Sequence, residues 1–106
     1  MVEYSIDLDS VFFALADQTR RDLLRRVATR EHSISDLARP YALTFAAIAK
    51  HVSVLEAAQL VLKRREGRQQ IIGVNPKVIG VAATHLEQYE KVWNNRFGAL
   101  ATYLEK

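Results

Sequence analysis

The apolar residues of this chain recur first at helical spacing, then in two short runs typical of strands, then at helical spacing again. Leu8, Val11, Phe12 and Leu15 predict a first helix from about Leu8 to Ala16, with Asp9 near its start, where a negative charge suits the helix dipole. Asp17 reads as the cap of a second helix, Gln18 to about Thr29, with Leu23, Leu24, Val27 and Ala28 turned inward and its arginines mostly outward. Ser33 and Asp36 have capping-box spacing and open a brief helix whose apolar face is Ile34, Leu37 and Ala38. Pro40 disfavours helical geometry at Arg39, so the helix stops there. Thr44 then caps the stretch on which the rest of the chain is organised, Leu43 to Val61. Phe45, Ile48, Val52 and Leu55 form its inward stripe, and Ala46, Lys50, Ser53 and Ala57 its front.

Next, Val61 to Arg65 and Gln69 to Val74 are β-prone runs flanking Glu66-Gly67-Arg68, which predicts a β-hairpin with a basic tip. Asn75-Pro76 ends it. From about Lys77 to Leu104, the residues Ala82, Leu86, Tyr89, Trp93, Leu100 and Leu104 line one side of a helix too long for so small a core. An apolar stripe left uncovered on a monomer marks an association surface, and it predicts a homodimer through the first and last helices. The contacts expected there are Leu8, Val11 and Phe12 from the first helix, and Leu86, Tyr89, Trp93, Leu100 and Leu104 from the last. The fold class is thus mainly α with a small β-hairpin, in the order α-α-α-α-β-β-α, and the 106 residues are expected to form one domain, with 77–104 as its dimerisation helix.

Two helices joined by a tight turn, with the second presented to the outside, is the layout of a helix-turn-helix. A solvent-facing helix normally carries long charged side chains. A front of alanines with one serine and one lysine suggests instead that something large comes close to it, and the major groove of duplex DNA admits a whole helix. Charge supports this reading locally more than globally. Fifteen Lys plus Arg against twelve Asp plus Glu give only +3, but Arg20, Arg21, Arg25 and Arg26 form one basic cluster and Lys63, Arg64, Arg65 and Arg68 another. Solvated charge on a helix face is the plainer explanation for part of the first.

The absence of cysteine excludes disulfides, thiolate metal sites and thiol redox chemistry. Glu3, Asp7 and Asp9 are unlike a signal peptide, and no apolar run approaches membrane-spanning length, so a cytoplasmic protein without membrane contact is expected. His32, His51 and His85 lie in different elements with no ligand spacing between them, and no phosphate loop or nucleophile elbow occurs. Neither a metal, a cofactor nor catalysis is expected, and no residue names a small-molecule effector.

Phe13-Ala14-Leu15-Ala16-Asp17-Gln18-Thr19-Arg20-Arg21, then Ser35-Asp36-Leu37-Ala38, Lys50-His51-Val52 with Val54-Leu55-Glu56, and Arg65-Glu66-Gly67-Arg68 together resemble the winged helix-turn-helix repressors of the ArsR/SmtB family. The resemblance covers nearly the whole chain. With Arg39-Pro40-Tyr41 and the Tyr89 to Leu104 segment, it is closest to a branch without the metal-binding cysteines. It implies a homodimeric bacterial transcriptional regulator, usually a repressor, binding a two-fold-related double-stranded operator, with the helix from Thr44 as reader and the hairpin as wing. The DNA contacts then expected are Thr44, Phe45, Ala46, Ala49, Lys50 and His51 on the reader, and Arg65, Arg68 and Gln69 on the wing.

Departures from the family pattern matter too. Ser33 and Ser35 stand where the family's cysteines would be, and serine is a poor ligand for thiophilic metals. Arg96 stands where His85 would need a second histidine. Ala49 replaces a common Ser or Thr, and Gln59 replaces the Gly that often ends the reader, placing a non-glycine residue at a left-handed position. Two alternatives remain beside the DNA-binding regulator: a winged-helix dimer serving as a protein-interaction scaffold, and a metal-gated repressor.

Overall fold

Each short helix begins on a side chain that accepts a hydrogen bond from an otherwise unpaired first-turn N–H. Asp7 accepts from Asp9 N (3.0 Å), Asp17 from Arg20 N (3.0 Å), Ser33 from Asp36 N (3.1 Å) and Thr44 from Ala47 N (3.1 Å). The computed structural model describes residues 6–104, so Glu3 lies outside the described residues. Its elements are α1 (Leu8–Leu15), α2 (Gln18–Thr29), β1 (His32–Ser33), α3 (Ile34–Ala38), α4 (Phe45–Ala57), β2 (Val61–Glu66), β3 (Gln69–Val74) and α5 (Pro76–Leu104).

Of the four arginines of α2, Arg21 and Arg25 are exposed as expected, while Arg20 and Arg26 are half-buried and depart from the outward pattern. Arg20 is half-buried and donates from Nε to Ala14 O (2.8 Å) and from Nη2 to Phe13 O (3.0 Å), while Arg21 donates to Leu15 O (2.8 Å). Arg26 donates to Leu37 O (2.9 Å) and Asp36 O (3.1 Å). The last carbonyls of a helix have no partner within it, and these guanidiniums supply donors to the C-terminal ends of α1 and α3. Tyr41 completes the second join: its hydroxyl donates to Asp22, and the Arg26 guanidinium stands 5.9 Å from its ring centre. Ala28, expected inside, is exposed, because it lies on the edge of the stripe beyond Leu24 and Val27.

A third strand was not foreseen. His32 and Ser33 pair with Ile72 and Ile71 on the free side of β3, giving an antiparallel sheet of order β1-β3-β2. The hairpin itself has the expected register, from Val61 opposite Val74 to Glu66 opposite Gln69, closed by Gly67 and Arg68. Gly67 has φ +61°, the conformation a glycine supplies at the first position of a type II′ turn.

The helix α4 stops at Ala57, short of Val61. Leu60 N donates to Leu55 O (3.0 Å) and Gln59 N to Glu56 O (2.9 Å), with Gln59 at φ +63°, which is the Schellman pattern carried out without glycine. This reversal turns the chain directly into β2. The core lies between the helices and the sheet and contains Val11, Leu23, Leu37, Ile48, Val52, Leu55, Leu60, Val61 and Ile72. Only the beginning of α5 joins it, through Val78 and Ala82. The remainder runs away from the body, and the chain extends 66 Å along its longest axis. No described helix is long and apolar enough to cross a membrane.

Candidate nucleic-acid interface

The stripe that seats α4 consists of Ile48, Val52 and Leu55, all buried. Phe45, expected to share it, is 55% exposed, because at the first helical position it lies beyond the edge of the α3 contact. Seating that stripe leaves Ala46, Lys50, Ser53 and Ala57 on the exposed front, as their spacing predicts, with Ala49 half-buried beside them. His51 does not share this front. It is half-buried against α2, with Nδ1 3.3 Å from Arg20 Nη1 and 4.0 Å from Asp17 Oδ2. A position one residue after Lys50 is rotated about 100° around the helix, which turns His51 toward α2 and away from the front. The Asp17 carboxyl is held below the ordinary carboxylate range, first by the Arg20 N–H and then by the charges of Arg20 and His51.

Beside this front stands the hairpin, and the register decides which of its cations are free. Lys63 is paired with Glu56 of α4 (3.2 Å), and Arg64 is held between Glu31 (2.8 Å) and Glu66. Elsewhere Arg25 pairs with Asp22 and Arg39 with Asp36. Of the cations on α4 and the hairpin, Lys50, Arg65 and Arg68 have no carboxylate partner. Arg65 is steadied only by a bond from its Nε to Gly67 O (3.2 Å). Phe45, Arg65, Arg68 and Gln69 line one groove of about 260 Å³ between the start of α4 and the hairpin, together with Ser35 and Gln70. Gln70 is not singled out by the sequence, and Ser35 is named there only as the occupant of a family cysteine position, not as part of this groove. Gln70 was accessible in principle, since a two-residue turn at Gly67-Arg68 places it opposite Arg65.

Thr44 is exposed and its hydroxyl oxygen is used as the α4 cap. Of the residues expected at a subunit contact, Leu86, Tyr89, Trp93, Leu100 and Leu104 are exposed along α5, and Val92, Phe97 and Tyr103 enlarge the same apolar surface. Leu8 and Phe12 are half-buried. Val11 is corrected: it has no exposed surface, because it points into the chain's own core. Among the described residues, no three His, Cys, Asp or Glu side chains stand together as a metal site; His85 packs edge-on against Tyr89, with ring centres 5.4 Å apart.

A reader helix seated on a helix-turn-helix, followed by an antiparallel hairpin, defines the winged helix-turn-helix class. No protein-family model matches the chain. It is 31% identical over 81 residues to the HTH-type transcriptional regulator Rv2034 of Mycobacterium tuberculosis, an alignment covering 76% of each protein. The solved structure of an ArsR-like transcriptional regulator from Rhodococcus sp. RHA1 is 33% identical, with 88% of each chain covered and a TM-score of 0.73. A homodimeric winged helix-turn-helix DNA-binding domain from Mycobacterium bovis, 21% identical, has the same fold at a TM-score of 0.65, with 83% of this chain and 82% of that one covered. The chain belongs to the ArsR family of winged helix-turn-helix transcriptional regulators.

Proposed function

We propose that this regulator binds a two-fold-related operator in duplex DNA as a homodimer and represses transcription by occupying it. The 106 residues act as one unit, in which α4 of each protomer enters a major groove and the hairpin reaches the adjacent backbone or minor groove. Thr44, Phe45, Ala46, Ala49 and Lys50 face the bases and their flanking phosphates, and Arg65, Arg68 and Gln69 extend the contact along the wing. Leu8 and Phe12 of α1, with the apolar side of α5, join the two protomers.

One observation carries the reading: on the small-residued front of α4 and the hairpin beside it, Lys50, Arg65 and Arg68 have no carboxylate partner while Lys63 and Arg64 are paired, so three exposed cations stand together on one face. A scaffold for protein partners has no need of unpaired cations at that place, whereas phosphate oxygens do. The homodimeric domain of the same fold from M. bovis supports the assembly.

Selection of bound duplexes from a random pool, followed by titration with the unaltered protein and Lys50→Ala, tests the reading. A preferred, two-fold-related duplex should emerge, and Lys50→Ala should weaken it by about 1 to 3 kcal/mol if Lys50 contacts a base. Recovery of no preferred duplex would move the assignment to the scaffold.

A further inference from the structure

The front of α4 is poor in groups that can hydrogen-bond to a base edge. Ala46 and Ala57 are exposed, Ala49 is half-buried, and Phe45 places a ring beside them that is more than half exposed. Its polar members are Lys50, Ser53 in the third turn, and Thr44, whose oxygen already accepts from Ala47 N at 3.1 Å. Neither Arg, Asn, Gln, Asp nor Glu stands on this front; Glu56 lies at its edge and is paired with Lys63. Two-point recognition of adenine takes an Asn or Gln amide, and recognition of cytosine takes an acceptor such as a carboxylate. The reader has neither.

What remains in the major groove for an apolar side chain is the C5 methyl group, which thymine alone presents there. The first turn of a reader helix is the part that meets base edges, and in this chain that turn offers Phe45 and Ala46. The core gives no reason for the phenylalanine, since its ring faces the groove shared with Arg65 and Gln69 and not the buried stripe of Ile48 and Val52. We propose that Phe45 and Ala46 select thymine through its methyl group, so that this part of each half-site is specified by apolar contact and not by hydrogen bonds. The inference rests on α4 being the reader helix of a DNA-binding dimer.

Deoxyuridine differs from thymidine only by that methyl, so the test replaces each thymine of the selected duplex in turn by uracil. At one or two positions of each half-site, the unaltered protein should lose about fourfold in affinity per methyl, the worth of burying one such group, and roughly fifteenfold when both half-sites are changed. Phe45→Ala or Ala46→Gly should bind thymine and uracil equally at its own position, while Phe45→Leu should keep part of the preference. Equal binding of every uracil-substituted duplex, on a sequence still bound specifically, would overturn the methyl reading and leave DNA binding intact. Undiminished uracil sensitivity in both Phe45→Ala and Ala46→Gly would overturn the assignment to these residues. Failure of the protein to prefer any duplex would overturn the parent reading as well.

Discussion

Gln59 holds a left-handed backbone, φ +63°, at the residue that ends α4 and starts the turn into β2. An L-residue with a Cβ is strained there by roughly 1 to 2 kcal/mol, and glycine is not. Gln59→Gly should therefore raise the urea midpoint, by about 1 kcal/mol in stability, with DNA affinity unchanged; a lowered midpoint would mean that the glutamine side chain contributes more than the strain removes. His32 is buried on β1, and its Nδ1 has no hydrogen-bond partner. Burial, followed by the charges of Arg30 and Arg26, holds its pKa below the ordinary histidine value. In the unfolded chain it takes its proton near about 6.5. Below that pH the unfolded state binds more protons than the folded one, so this contribution is fully present above about 6.5 and is lost as pH falls toward the depressed folded value. The melting temperature of His32→Gln should accordingly fall less steeply between about pH 7 and pH 5 than that of the unaltered protein. Parallel curves would exclude His32 as a source of acid sensitivity.

At the scale of elements, the hairpin sorts its own charges. Lys63 and Arg64 are held by Glu56, Glu31 and Glu66, which leaves Arg65 and Arg68 at the tip. Arg68 lies in the turn, is exposed and contributes nothing to the core, so Arg68→Ala should leave the melting temperature nearly unchanged. In a symmetric dimer the substitution occurs twice. If each Arg68 neutralises one phosphate, the plot of log affinity against log salt becomes shallower by roughly two. Lys63→Ala, which removes a cation already paired with Glu56, should change the slope less. An unchanged slope for Arg68→Ala would show that the tip does not reach the DNA.

For the molecule as a whole, the distribution of apolar surface is the governing fact. Val78 and Ala82 tie α5 to the core, while Leu86, Tyr89, Trp93, Phe97, Leu100 and Leu104 remain exposed beyond it. An unsupported helix end frays, and an apolar stripe of this extent needs a second surface to hold it. A carboxylate in the middle of such a contact would be buried without a partner, so Leu100→Asp should convert a dimer into a monomer at about micromolar concentration. Sedimentation velocity measures this directly, and far-ultraviolet dichroism should show helix lost from the outer part of α5. A monomer for the unaltered protein under the same conditions would refute the dimer.

Local spacing by itself determined the helices, their caps and the hairpin. Asp17, Ser33 and Thr44 act on backbone groups two or three residues away, and Gly67 on its own φ, so their effects are written in adjacent residues. The same locality made the front of α4 legible, because once Ile48, Val52 and Leu55 are inside, helical geometry places Ala46, Lys50 and Ser53 outside. Tertiary structure alone decided what depends on partners far along the chain. Two residues of irregular sequence, His32 and Ser33, became a strand only because β3 had a free edge beside them. Arg20 and Arg26 turned inward because neighbouring helices ended in unpaired carbonyls, and His51 was drawn to α2 by Arg20 and Asp17. Which wing cations stay free was likewise settled by Glu31, in the connection between α2 and β1, and Glu56 of α4, acids that sequence periodicity cannot bring to β2.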